Sequence, residues 1–292
     1  MTGEGIGAAI VEFAPAKINL YLHIVGRRAD GYHLISSLVV FVGIGDDIAV
    51  TDGRGPSLAV DGPFARALPD SGTNLAMRAT RGLAAALGRP DNVAMRLTKR
   101  LPVASGIGGG SADAAAALRA LMRLWRADPG NETLARLALS LGADLPVCLV
   151  GRPSLVSGIG EIVEPAPVLP QAWLTLVNPG VAVETRAVFS ARTGAFSTPA
   201  PLREPPRDPS ALAEALRARA NDLAAPAIRL APVIAEALAA LESAPGCLLA
   251  RMSGSGATCF GLFAAPEPAE AAARSIAAAR PGWWSVAAPM LR

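Results

Sequence analysis

The stretch Pro102-Val103-Ala104-Ser105-Gly106-Ile107-Gly108-Gly109-Gly110-Ser111 places four glycines in the five positions 106–110, directly before a segment of strong helical periodicity. Without Cβ atoms the backbone can turn tightly and let a ligand approach closely. Unpaired N–H groups at a helix start, reinforced by the helix dipole, suit an anion and phosphate above all. A flexible linker is the plain alternative, but a linker does not need glycines set against so well-formed a helix start. Spacing then separates this loop from several phosphate binders. No lysine follows it, as GxxxxGK[ST] would require. The preceding strand alternates, and the downstream acids Asp128 and Glu132 fall between helices, unlike a dinucleotide fold. Protein-kinase HRD and DFG signatures are absent. The loop points to nucleotide phosphates bound in some other way.

Other residues stand out less sharply. Of 27 basic residues only Lys17 and Lys99 are lysines. Where arginine fills nearly every other cationic position, a retained lysine suits a place that needs a compact, tunable ammonium; chance retention is the alternative. Tyr32-His33 beside the turn Asp30-Gly31 is notable among seven Phe, four Trp and two Tyr, although a strand-start aromatic packed on the core is the plain reading. Asp144 follows a helix stop and precedes an apolar stretch, the position of a turn or cap residue. Ser253-Gly254-Ser255-Gly256 by itself reads as a hairpin turn. Cys148, Cys247 and Cys259 are far apart without CxxC spacing, as expected of small core residues in a reducing compartment. With only His23 and His33 available, no zinc site is expected.

The elements that must carry these residues follow from periodicity and punctuation. Residues 18–25 alternate as a half-buried strand, and further strands are expected at 34–42 and 47–51. Thr73-Asn74 can cap a helix over 75–87 that stops at Gly88. Residues 92–98 alternate again. Ser111 opens a helix with Ala114, Leu118, Leu121, Met122 and Trp125 on one face, and 133–141 forms a shorter one ended by Gly142. Later come a strand at 174–177, a short helix capped by Thr185 and containing Phe189, and a non-helical connection at 197–209 with five prolines. Helices at 210–220, 232–241 and 268–279, with strands at 248–252, 259–263 and 285–287, complete an α+β chain.

Composition sets outer bounds. The 292 residues allow one or two domains. At 51% hydrophobic and 17% charged, with mean hydropathy +0.37, the chain is not disordered. The apolar run 38–42 breaks at Gly43 and Gly45, well short of a membrane span, and the N-terminal residues lack the basic start of a signal peptide. With 27 positive residues against 24 negative and no basic run, no nucleic-acid footprint is expected. A cytoplasmic protein with neither membrane nor nucleic-acid partner is the expectation.

The segment PVASGIGGGSADAA resembles the ATP-binding motif of the GHMP kinases, and two further segments agree in order. Ala14-Pro15-Ala16-Lys17-Ile18-Asn19-Leu20 is similar to the family's N-terminal motif, and Ser253-Gly254-Ser255-Gly256-Ala257 to its C-terminal glycine motif. The segments 28–33 and 141–147 point, within the family, to a kinase of an alcohol carried on a cytidine diphosphate. About seven N-terminal residues are additional to the pattern, and 197–209 matches no motif. The resemblance implies a two-domain α+β fold, with an N-terminal ATP-binding domain at 1–160, a C-terminal domain at 161–292 and the active site in the cleft between them. It implies ATP and Mg2+, with Lys17 and Asp144 catalytic. Pro102, Gly106, Ile107, Gly108, Gly109, Gly110 and Ser111 would hold the nucleotide. Asn19, Tyr32, His33, Phe189, Gly254, Ser255 and Gly256 would hold the acceptor, Tyr32 and Phe189 sandwiching its base while His33 bonds to it. Thr185 and the loop before it would line the same site. No metal ligand is assigned: Asp113 is equally a partner near the metal or an acid stabilised at a helix start. A homodimer is left open.

Overall fold

A computed structural model describes residues 8–68 and 73–292; the additional N-terminal residues noted above lie outside them, save for those after residue 7. Two compact units divide the chain. The first comprises residues up to Ala16, Gly45–Val103 and Gly109–Val150; the second comprises Lys17–Ile44, Ala104–Gly108 and Gly151–Arg292. Strands β1 (Ile10–Arg27) and β2 (His33–Asp52) each begin in one unit and end in the other.

In the first unit, the end of β2 pairs antiparallel with β4 (Val93–Thr98), from Asp47 opposite Thr98 to Asp52 opposite Val93. Strand β3 (Ser57–Asp61) pairs with β4 in parallel. Helix α1 (Leu75–Ala86) starts as its sequence requires, the Asn74 side chain accepting the Ala76 N–H at 2.9 Å. It packs on α2 (Gly109–Trp125) and α3 (Asn131–Leu141), and α2 also packs on α4 (Leu145–Val150). The α1–α3 contact is close: a Cβ on Gly82 would run into the Leu137 side chain. Ala114, Leu118 and Leu121, three of the residues expected on the buried face of α2, are fully buried.

In the second unit, Ile35–Val39 of β2 pairs antiparallel with β5 (Ser154–Gly158), and β5 with β6 (Ile162–Pro165). An antiparallel sheet has the order β10-β7-β9-β8, with β7 at Trp173–Asn178, β8 at Leu249–Met252, β9 at Cys259–Phe263 and β10 at Trp284–Pro289. Helices α5 (Thr185–Ser190), α6 (Pro209–Arg217), α7 (Ala224–Leu230), α8 (Val233–Glu242) and α9 (Pro266–Ala279) complete the unit. Its core joins Leu22 and Ile24 of β1 to Val177, Val188, Ile234 and Met252.

Several expectations need correction. Residues 34–42 and 47–51 are one continuous strand, because Gly43 and Gly45 are accommodated in extended backbone instead of breaking it. Gly45 is needed there, since a Cβ would run into the Ala14 carbonyl of β1. Helix α2 begins two residues before Ser111, absorbing Gly109 and Gly110. Thr185 does not cap α5: the N-cap is Glu184, without a side-chain bond, and the Thr185 hydroxyl instead meets Ser255 Oγ at 2.9 Å. The elements β3, α4, β5, β6 and α7 carried no periodic signal that announced them. Each is only four to seven residues long, too short for period to separate strand from helix. Cys148 and Cys259 are buried and Cys247 half-buried, none of them in a disulfide. Among the described residues no helix is long and apolar enough to cross a membrane.

Gly45→Ala should therefore destabilise the protein by about 1–3 kcal/mol, the usual cost of forcing an extra carbon into close packing. Chemical denaturation measures this directly, and an unchanged midpoint would contradict the close approach of β1 and β2.

Candidate active site

The glycine-rich loop is held by its carbonyls. Ser105 O accepts the Thr258 N–H at 3.1 Å, and Ile107 O accepts the Lys17 N–H at 2.9 Å. Between them, Gly106 O accepts the Ser253 hydroxyl at 3.2 Å. Three successive carbonyl oxygens are thus engaged by the second unit's own backbone and one serine. Left-handed φ values at Ala104, Gly106 and Gly108 (51°, 75° and 66°) make these turns possible. Gly106 has a second reason to lack a side chain, since a Cβ there would run into the Gly256 carbonyl and lie 2.8 Å from Ser253 O. A Cβ on Gly254 would in turn stand 2.8 Å from Gly106 O. The two glycine motifs therefore pack backbone against backbone. Gly254 and Gly256, expected at the acceptor, pack against the glycine-rich loop, with Ser255 tied to Thr185.

Lys17 and Asn19 lie together on β1. Lys17 Nζ donates to Asn19 Oδ1 at 2.9 Å, Asn19 Nδ2 donates to Ser37 Oγ at 2.8 Å, and Ser37 Oγ donates to Tyr21 O at 2.6 Å. The Asn19 backbone N–H also donates to Ser253 Oγ at 3.1 Å. All four side chains are buried, so the chain of donors and acceptors sets both the amide orientation and the direction of the ammonium. Sequence reasoning missed Ser37 and Ser253 in these roles. Ser253 lay inside a quoted motif; nothing local marks Ser37.

In the first unit, α2 opens at Gly109, and its first N–H groups have no partner within the helix. Gly110 is exposed, and a Cβ added to it would meet nothing within 4 Å. Its missing side chain therefore answers no packing demand, unlike that of Gly106. Ser111 follows, its Oγ 4.0 Å from where a Cβ on Gly142 would stand. That brings the turn leading to Asp144 beside the start of α2. Asp144 immediately precedes α4, with its carbonyl accepting the Cys148 N–H at 3.2 Å, so the cap position expected of it is the one it occupies.

Asp113 does not lie in the first turn of α2, where a helix-start acid would stand. It is buried, with Oδ2 2.8 Å from Lys99 Nζ, while Lys99 also bonds to Asp46 at 2.5 Å. Burial alone would lower the Lys99 pKa, but the charges and hydrogen bonds of Asp113 and Asp46 outweigh it and raise it. Burial pushes Asp113 up to about 7, the Asp46 carboxylate adding to the rise and Lys99 opposing it.

His33 and Phe189 meet in the second unit, ring centroids 5.1 Å apart and planes tilted by 34°. Tyr32, next to His33 in sequence, is 59% exposed. Burial first, then the charges of Arg27 and Arg192, lower the His33 pKa. The ring is thus kept neutral near pH 7, with one donor and one acceptor nitrogen. Among the described residues no group of three or more His, Cys, Asp or Glu could hold a metal ion.

Models of the GHMP kinases N terminal domain and the GHMP kinases C terminal region match residues 74–152 and 200–281. The chain is 59% identical to the 4-diphosphocytidyl-2-C-methyl-D-erythritol kinase of Paramagnetospirillum magneticum, over 95% of this chain and 97% of the other. The chain belongs to the GHMP kinase family. A second relative, of the same name and from Rhodospirillum rubrum, is 53% identical over 96% of this chain and 92% of its own. A crystal structure of 4-(cytidine 5'-diphospho)-2C-methyl-D-erythritol kinase is similar with a TM-score of 0.78 and 34% identity, covering 96% of this chain and 98% of that one. Homoserine kinase from Cytophaga hutchinsonii shares the fold at TM-score 0.69 and 18% identity, covering 100% and 97%. The two-domain GHMP kinase fold expected from five short motifs is therefore present, and ATP is the phosphoryl donor that such a kinase uses.

Two outcomes follow for this GHMP kinase. Gly110→Val should fold with unchanged stability yet weaken ADP binding about tenfold or more, whereas Gly106→Ala should lose on the order of 2 kcal/mol of stability through both clash and left-handed φ. Titration calorimetry and denaturation separate the two, and tight ADP binding by the Gly110→Val variant would remove that amide turn from the nucleotide site. The second outcome concerns pH. A carboxyl held above its ordinary value contributes stability that is present in acid and lost as pH rises through its folded value. Asp113→Asn keeps the uncharged state, so its Tm relative to the native protein should rise from about pH 5 to about pH 8.

Proposed function

We propose that the chain is an ATP-dependent kinase that phosphorylates the 2-hydroxyl of 4-diphosphocytidyl-2-C-methyl-D-erythritol, a step of non-mevalonate isoprenoid synthesis in the cytoplasm. One observation carries the reading: relatives 59% and 53% identical over nearly the whole chain bear that activity in their names.

Phosphoryl transfer asks a protein mainly for positioning and charge stabilisation. The amides from Gly106 to Ser111 would take the β- and γ-phosphates, with Pro102 and Ile107 shaping the loop. Mg2+ bound with the ATP would neutralise part of the charge on the phosphates, and no side chain is assigned to hold it. Asp144 would accept the proton of the attacking hydroxyl. Lys17, aimed by Asn19, would hold the hydroxyl oxygen and balance the negative charge that develops. Asn19 would contact the alcohol end of the acceptor, and Gly254 to Gly256 would steady the loop over the transferring group. Base recognition falls to Tyr32, His33 and Phe189. The observed packing of His33 on Phe189 supports a cytosine lying against the Phe189 ring, with neutral His33 pairing with its amino and carbonyl groups. A homoserine or mevalonate kinase, the nearest alternative within the family, has no use for such a pair.

ADP release measured with a panel of alcohols tests the reading. The cytidine diphosphate compound should be turned over and homoserine and mevalonate should not; the reverse order would overturn it. Asp144→Asn and Lys17→Ala should each lower kcat by about 10²-fold with folding intact. Phe189→Ala should raise KM for the acceptor about tenfold and leave KM for ATP unchanged, in keeping with the worth of one base–aromatic stack.

A further inference from the structure

Lys99 is one of two lysines in the chain, and no part of the proposed chemistry uses it. Its backbone is fixed on both sides: the N–H donates to Asp61 O at 2.7 Å, and the carbonyl accepts the Phe64 N–H at 3.1 Å. From that platform the buried ammonium reaches Asp46 on β2 and Asp113 on α2. Asp46 is fixed in turn, its Oδ1 accepting the Arg100 N–H at 2.5 Å and the Leu101 N–H at 2.9 Å. Asp113 is not: Oδ1 is buried and has no partner. Its hold on Lys99 is therefore the bond that locks its orientation. Asp113 is the fifth residue of α2, and the first residue, Gly109, lies over the same ammonium, with a Cβ there 3.1 Å from Lys99 Nζ. Lysine suits this place because its compact ammonium divides its N–H donors between two carboxylates, where a planar guanidinium would need more room.

We propose that Lys99, acting through Asp113, is a positioning residue for the nucleotide: it clamps the opening turns of α2 to β2 and to the chain just past β4, and so sets the Gly109–Ser111 amides for the phosphates. The inference rests on the reading that these amides bind the nucleotide. Positioning and simple electrostatics predict opposite signs. Above about pH 7, where Asp113 is ionised, two carboxylates and one ammonium carry an excess of negative charge, so deleting the Asp113 carboxylate would by Coulomb attraction alone favour an anion nearby. If the clamp is what matters, the same deletion weakens binding.

The test is Asp113→Ala, which cuts the link to α2 and leaves the Lys99–Asp46 pair intact; Lys99→Met, by contrast, would strand two buried carboxylates and threaten folding. Asp113→Ala should fold, weaken ADP binding about tenfold, raise KM for ATP by a similar factor and leave KM for the acceptor within about twofold. Asp113→Asn, which keeps an acceptor for the ammonium, should restore ADP binding to within about threefold of the native value. Unchanged or tighter ADP binding by Asp113→Ala overturns the proposal, as does equal weakening of nucleotide and acceptor, which a general loosening would produce. Gly110→Val separates the two levels. If it leaves ADP affinity untouched, the amide turn itself is not the nucleotide site; if it weakens ADP while Asp113→Ala does not, only the clamp is wrong.

Discussion

The orientation of three peptide groups underlies the site. Once Thr258, Ser253 and Lys17 take the carbonyl oxygens of Ser105, Gly106 and Ile107, the loop cannot rotate those peptides without leaving buried acceptors unmet. An unmade buried hydrogen bond costs about 1–3 kcal/mol, and three in succession make a rigid turn out of a sequence that is otherwise among the most flexible a chain can offer. Glycine is required for this arrangement, and the arrangement removes the mobility glycine would bring.

The glycines of this loop do different work despite their adjacency. Gly106 and Gly108 bend the chain through left-handed φ, and Gly106 also admits the backbone of the C-terminal motif. Gly109 sits over the Lys99 ammonium, while Gly110 meets no neighbour. Only the last is left without a packing reason. The C-terminal glycine motif is likewise first a structural counterpart. Its contacts with Gly106 bring two segments some 150 residues apart into a single backbone-to-backbone joint.

Buried charge gives the first unit a different kind of order. Fully ionised, Lys99, Asp46 and Asp113 would carry more negative than positive charge, and burial together with Asp46 makes the carboxyl on α2 hold its proton more tightly than an exposed aspartate would. Such a cluster is a costly way to gain stability compared with apolar packing. What it provides that apolar packing cannot is direction, since one ammonium fixes two carboxylates on separate elements at hydrogen-bond distance.

Much of this was legible in the residue order. Alternation, caps and glycine stops located α1, β4, α2 and α3 to within a few residues, because these elements are long enough for period and punctuation to agree, whereas β1 starts at Ile10, well before the alternating stretch 18–25. Five ordered motifs identified the family, and the scarcity of lysine marked Lys17 and Lys99 as unusual. Tertiary contact decided the rest. Whether Gly43 and Gly45 break a strand depends on the strand beside them, and Thr185 caps nothing because Ser255 takes its hydroxyl. Asp113 looked like a helix-start acid until an ammonium 14 positions earlier in the chain met it in the interior. Local sequence specifies which conformations a segment can hold at low energy; the partner that satisfies a buried donor or acceptor is supplied by distant chain, and no local pattern encodes it.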